Sequence, residues 1–343
     1  MSILECILID STSGEIKLTA NDMELGIETI IEGEILEKGI IALDAKIFLE
    51  IVRKLPDNDI TITTDSNFKT AITCEKAKFN IIGKSGEDFS YLPMIERNES
   101  IIISQYTLKE VIRQTIFSIS DNDNNKLMSG ELFEINGEEM RVISLDGHRI
   151  SIRKIHLKNS YPAKKVVVPG KTLNEISKIL SGDADKDVTI FFTDKHIVFE
   201  FENTTVVSRL IEGEYFKIDP MLSSDYETKV IIHKKELLDC IDRATLLIKE
   251  GDKKPIIINI TDGSMELKIN STVGSMDEEI DIEKMGKDLM IGFNPKFLID
   301  ALRVIDDETI TIYLVNPKAP CFIRDEENNY IYLILPVNFT TVS

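Results

Sequence analysis

The stretch Asp288–Leu314, DLMIGFNPKFLIDALRVIDDETITIYL, decides how this chain is read, because its pattern occurs three times. The earlier copies run from Lys38 to Thr64 and from Lys165 to Phe192. Each copy opens on a β-rich run and continues as a helix of about ten residues. It then breaks at Asp, Gly or Pro and resumes as an alternating strand, DITIT, DVTIF or ETITI. On the three helices the apolar residues fall at Phe48, Ile51, Val52 and Leu55; at Leu173, Ile176 and Leu180; and at Leu298, Ala301, Leu302 and Ile305. That spacing is one core-facing stripe per helix.

The charges repeat with the stripes. Lys46, Glu50 and Arg53 recur as Lys171, Glu175 and Lys178, and again as Lys296, Asp300 and Arg303. Residues seven apart differ by about 20° around a helix, so each helix shows two cations on one face. Taken singly, each trio is a set of i,i+3 and i,i+4 pairs on a solvated surface, worth a few tenths of a kcal/mol. Taken three times in units related by rotation, six cations line a common surface.

The 343 residues, 43% of them apolar, allow two or three domains of ordinary size. A period of about 125 residues favours three, with boundaries expected at 1–98, 99–223 and 224–343. The fold class expected is α+β, each domain built from two half-units of strand, helix and several strands. There is no uninterrupted run of 18 apolar residues and no basic-then-apolar leader at Met1, so a soluble, cytoplasmic protein is expected. Cys6, Cys74, Cys240 and Cys321 are widely spaced without a CxxC pair, which points to reduced, buried thiols and to no metal site or cofactor.

A net charge of −19 argues at first against a nucleic-acid binder. The distribution reverses that argument, because the five helices at 45–55, 106–118, 171–181, 234–248 and 295–304 carry +5 between them. Acidic strands and loops then repel DNA from outside, while basic helices accept it on one surface.

In chain order, residues 3–29 read as a hairpin turned at Ser11–Gly14, and LPMIERNES at 92–100 reads as a linker. A strand and the helix Tyr106–Ser118 follow, then two strands around Gly137 and a connector at 210–228. The strand KVIIH and the helix Glu236–Leu247 open the last third. Against this order the first domain is short by one strand and one helix, about 25 residues. Either the chain is cut or starts late, or this domain is reduced; the former is expected, since an apolar face would otherwise be left open.

Carried on these repeats, SLDGHRI at Ser144–Ile150 and LILPV at Leu333–Val337 closely resemble the bacterial sliding clamp, the β subunit of DNA polymerase III, over essentially the whole chain. The resemblance implies a head-to-tail homodimer of three-domain chains, a ring with helices inside and antiparallel sheets outside. It implies a DNA polymerase processivity factor that encircles double-stranded DNA and performs no chemistry. Its partners would be the polymerase III catalytic subunit, the clamp loader and other proteins carrying clamp-binding peptides, with no membrane. DNA-facing candidates are Lys46, Arg53, Arg113, Lys126, Lys171, Lys178, Lys296 and Arg303. The walls of a peptide-binding groove would be Met128, Leu145, Gly147, His148, Arg149, Ile150, Phe216, Pro220, Met221, Leu333, Ile334, Leu335, Pro336 and Val337. The ring contact would join Phe79 and Ile81 of one chain to Leu246 and Leu247 of the other; the alternative is that all four are ordinary core.

Leu145, Phe216, Pro220 and Asn338 depart from residues common in the family, and Phe339–Ser343 extend the tail. Two other readings compete. A hydrolase would use Asp146 and His148, but no phosphate loop, metal motif or GxSxG accompanies them. A monomeric or open adaptor would keep the groove and lose the ring.

Overall fold

A computed structural model describes residues 2–121, 125–249 and 254–339. The chain divides into two compact units, Met1–Gln105 with Asp183–Leu210, and Tyr106–Gly182 with Ile211–Ser343.

The first unit is built on a nine-stranded antiparallel sheet. Its order is Lys84–Ser85, Ile40–Asp44, Cys6–Asp10, Ile16–Asn21, Leu25–Ile31, Thr204–Arg209, His196–Phe201, Asp187–Phe192 and Ser100–Ser104. The sheet therefore joins strands from opposite sides of the expected boundary at residue 98, with Ile27 opposite Val206. A separate three-stranded sheet is formed by Thr61–Thr64, Lys69–Cys74 and Ala77–Ile82.

Helix α1, Ala45–Lys54, starts where the Asp44 carboxylate accepts the Ile47 amide at 2.8 Å. Its expected stripe is only partly buried. Ile51 is covered, Phe48 and Leu55 are half-buried and Val52 is exposed, while Ile47 and Leu49, outside the stripe, are open to solvent at 50% and 46%. Periodicity identifies the helix and its apolar side, but not what covers that side.

In the second unit a seven-stranded antiparallel sheet runs Gly130–Leu145, Arg149–Pro169, Tyr330–Ile334, Cys321–Arg324, Thr309–Leu314, Thr228–His233 and Glu283–Gly286. The turn expected at Gly137 is instead a bulge inside one strand of 16 residues, and the break falls at Asp146–His148, before a strand of 21 residues. A four-stranded sheet contains Ser275–Asp281, Ser264–Asn270, Ile256–Thr261 and Leu289–Phe293.

Helices α2 (Gln105–Thr115), α3 (Gly170–Ile179), α4 (Lys234–Thr245) and α5 (Pro295–Val304) complete the element order. Proline at the first turn and the Asn294 side chain start α5. Here the stripes are buried as expected: Leu173, Ile176 and Leu180 around α3, and Leu298, Ala301, Leu302 and Ile305 around α5. Leu237, Cys240, Ile241 and Ala244 of α4 share the α5 core with Ile312, Ile323 and Tyr332 from the inner sheet face. The opposite face of the same sheet carries the candidate site.

Candidate functional site

Residues directly opposite in an antiparallel sheet point to the same face. The registers place Leu145 opposite Ile150, Ile150 opposite Leu333, Leu333 opposite Phe322 and Phe322 opposite Tyr313. Five strands thus contribute one apolar row. The connector lays Tyr215, Ile218 and Leu222 over it, with Phe216 edge-on to Tyr215 at 5.6 Å. Met128 packs on it from the turn Lys126–Ser129.

Of the expected groove residues, Met128, Leu145, Ile150, Phe216 and Leu333 therefore meet in one cluster. Met221 and Leu335 border it, 53% and 37% exposed. Ile334 belongs to the other face, buried in the α4–α5 core. Pro220 is exposed, while Pro336 and Val337 are half-buried. The terminal stretch is tied down where Leu335 donates to the His148 carbonyl at 2.9 Å and Val337 to the Gly292 carbonyl at 2.8 Å. Residues beyond Phe339 lie outside the described set.

The turn DGHR is held from below. Gly147 adopts φ +89°, open to glycine at little cost, and Asp146 Oδ1 accepts the His148 and Arg149 amides at 2.9 and 3.1 Å. Arg149, expected in the wall, is buried beneath it. Its guanidinium donates to Asp146 Oδ2 at 3.0 Å, Asp300 Oδ2 at 2.7 Å and the Phe117 carbonyl at 2.5 Å. The cation lies 4.5 Å from the Phe297 ring centroid and 5.4 Å from that of Phe117. Such a charge is tolerable in the interior because its rigid fork finds partners on several sides.

Two readings of the sequence change here. Asp300 serves Arg149 rather than completing a trio with Lys296 and Arg303, since it faces the core side of α5. Asp146 is engaged with backbone amides and Arg149, while the exposed His148 ring stacks on Phe297 at 6.0 Å. No Asp–His dyad forms. Phe117, Phe297, Tyr215, Tyr313 and Phe322 were missed, because only long-range register and helix facing bring them together.

The candidate DNA-facing cations fall into two states. Arg53 lies 3.9 Å from Glu50, Lys178 lies 2.8 Å from Glu175, and Arg113 bridges Glu110 at 2.6 Å and Asp306 at 3.0 Å. Arg303 pairs with Asp242 of α4 at 3.1 Å. Lys46, Lys126 and Lys296 are exposed and form no ion pair among the described residues, and Lys171 is exposed as well.

For the expected ring contact, Phe79 is 39% exposed and Ile81 half-buried on the edge strand Ala77–Ile82. Leu246 is 80% exposed after α4, and Leu247 packs partly on the α4–α5 core.

Three family models match in tandem: the N-terminal domain of the DNA polymerase III beta subunit over residues 1–93, its central domain over 102–217 and its C-terminal domain over 220–338. The chain belongs to the DNA polymerase III beta subunit family, the bacterial sliding clamps. It is 33% identical over 348 residues to the beta sliding clamp of Staphylococcus aureus, covering 98% of this chain and 92% of that one. The crystal structure of the Bacillus subtilis sliding clamp superposes with a TM-score of 0.93 at 32% identity, over 98% of this chain and 92% of that one. A structure assigned as a beta subunit from Eubacterium rectale gives a TM-score of 0.95 at 77% identity, over 99% and 93%. The clamp fold and processivity role expected from the DGHR and ILPV motifs thus stand on matches over nearly the whole length. Among the described residues no helix is long and apolar enough to cross a membrane.

Proposed function

We propose that two copies of this chain close head to tail around double-stranded DNA in the cytoplasm, working through topology rather than chemistry. The clamp would hold the polymerase III catalytic subunit near the primer end at high effective concentration. The clamp loader and other proteins would dock on it through short peptides seated on the Leu145–Ile150–Leu333 face. The three repeats 1–98, 99–223 and 224–343 would bring one, two and two of the described α-helices to the ring.

The observation that carries the ring is a pair of complementary sheet edges. The edge strand Ala77–Ile82 displays Phe79 with Lys76 and Lys78 exposed beside it. The edge strand Ser275–Asp281 displays the exposed Glu279 and Asp281, and Leu246 is exposed just past the end of α4. A basic edge and an acidic edge favour strand addition between unlike surfaces, which also protects both edges from uncontrolled pairing. A heterologous contact of this kind makes a closed ring when two copies repeat it about a two-fold axis.

Sliding requires phosphate-directed contacts without base readout, and the exposed Lys46, Lys126, Lys171 and Lys296 would take part in them. Arg53, Arg113, Lys178 and Arg303 would exchange their own acids for phosphate.

Light scattering tests the ring contact. The full chain is expected at twice 38.8 kDa, and Phe79→Asp or Leu246→Asp at the monomer mass with far-UV circular dichroism unchanged. A wild-type monomer at micromolar concentration that still binds clamp-binding peptides would overturn the ring and leave an open adaptor.

A further inference from the structure

The interior of the second unit holds a carboxylate that neither the groove nor the helix cations use. Glu131, in the strand Gly130–Leu145, is completely buried, and neither of its oxygens has a hydrogen-bond partner. It shares a strand face with the fully buried Phe133 and with Ile135. A buried ion without a donor is among the costliest groups a fold can hold, so the carboxyl is stable there only when neutral.

What surrounds it offers little relief. Helix α2 presents the Thr115 hydroxyl, which favours the ion but already donates to the Val111 carbonyl at 2.7 Å. The connector presents the phenol of Tyr215, which donates to the Ile143 carbonyl at 3.4 Å and whose own ionisation Glu131 opposes. The neighbouring strand places the buried Val168 directly opposite. Among the described residues no Lys, Arg or His acts on the carboxyl. Burial therefore pushes it up to about 8.

Thr115 is also the start of the path to the groove. Its carbonyl accepts the Ser144 hydroxyl at 2.5 Å, and Ser118 bonds Ser151 at 2.5 Å. Between them Phe117 gives its carbonyl and its ring to Arg149. The residue that supports the DGHR turn thus hangs on the segment just past Thr115, whose hydroxyl faces Glu131.

We propose that Glu131 is a protonation-dependent support of the groove: neutral, it lets the end of α2 seat on the sheet and hold Arg149; ionised, it lifts α2 and loosens the DGHR turn. The consequence for peptide docking rests on the groove reading above. The consequence for α2 does not.

The sign follows from the raised value. The stabilisation is complete below the ordinary carboxylate range, declines as pH rises from there, and is gone above about 8. Hydrogen exchange of the full chain at pH 6.5 and 9, corrected for intrinsic rates, would compare wild type with Glu131→Gln, and with Glu131→Met should the buried amide prevent folding. Protection over residues 105–118 and 146–150 is expected to fall roughly ten-fold or more in wild type relative to the neutral variant. Equal losses in both proteins would overturn the proposal. Titration with a clamp-binding peptide from the polymerase, at the same two pH values, would show affinity falling at pH 9 in wild type alone. Absence of peptide binding in both proteins at both pH values would refute the groove and leave the exchange result to decide Glu131.

Discussion

Asp300 and Arg303 stand one turn apart on α5 and live in opposite regimes. Asp300 points to the interior and holds Arg149, whose side chain is 7% exposed, at 2.7 Å. Arg303 points outward and meets Asp242 at 3.1 Å with both side chains more than half exposed. The chemistry of the two pairs is the same, yet in water an ion pair contributes little, whereas a buried one becomes indispensable once made. On the proposed function, the interior pair would fix the shape that a peptide fits. The outer pair can open, as a surface sliding over phosphates would require.

Breaking the interior pair should have the largest effect. Arg149→Ala leaves Asp146 and Asp300 facing each other without their cation and is expected to cost about 3–5 kcal/mol in urea unfolding. Peptide binding should be lost with it. Recovery of much of that stability by adding Asp300→Asn would locate the cost in the stranded carboxylate; no recovery would assign it to the lost packing on Phe117 and Phe297.

His148→Ala tests the groove without touching its support. The ring is exposed and stacked on Phe297, so stability should hold within about 0.5 kcal/mol. Peptide affinity should fall by roughly 1 kcal/mol, about five-fold, in calorimetry. An unchanged affinity would move the binding surface away from the DGHR turn.

Much of the fold is legible in the sequence because it rests on local periodicity. The stripes of α3 and α5 end up buried where the spacing puts them, and the alternating strands form sheets. The stripe of α1 shows the limit, since a period tells which side is apolar and not what covers it. Register is the other limit. Leu145, Ile150 and Leu333 could be assembled only through a family motif, and Tyr313 and Phe322 not at all, because their places depend on strand pairings far apart in the chain. Asp300 was misassigned for a plain geometric reason: i,i+3 spacing fits a pair with Arg303 as well as an inward turn to Arg149. Glu131 sits in GELFEI on the face of Phe133, where alternation gives no warning that a carboxylate is enclosed.

On the outer surface the effects are smaller and depend on salt. Lys296→Ala and Lys46→Ala should each lower the salt slope of DNA binding by about 1. Arg303→Ala should lower it less, because its phosphate contact must first displace Asp242, and unfolding stability should change by no more than about 0.5 kcal/mol. Equal slopes for all three variants would mean that the intramolecular pairs do not restrain these cations.

The most direct test of the central claim is retention on DNA of two topologies. The full-length protein is loaded by clamp loader and ATP onto nicked circles, half of which are then linearised, and bound protein is separated from free by gel filtration. The account predicts that the protein stays on circles through moderate salt and is lost from linear molecules through their ends. Equal loss from both forms, or equal retention on both, would contradict a closed ring that holds DNA by topology.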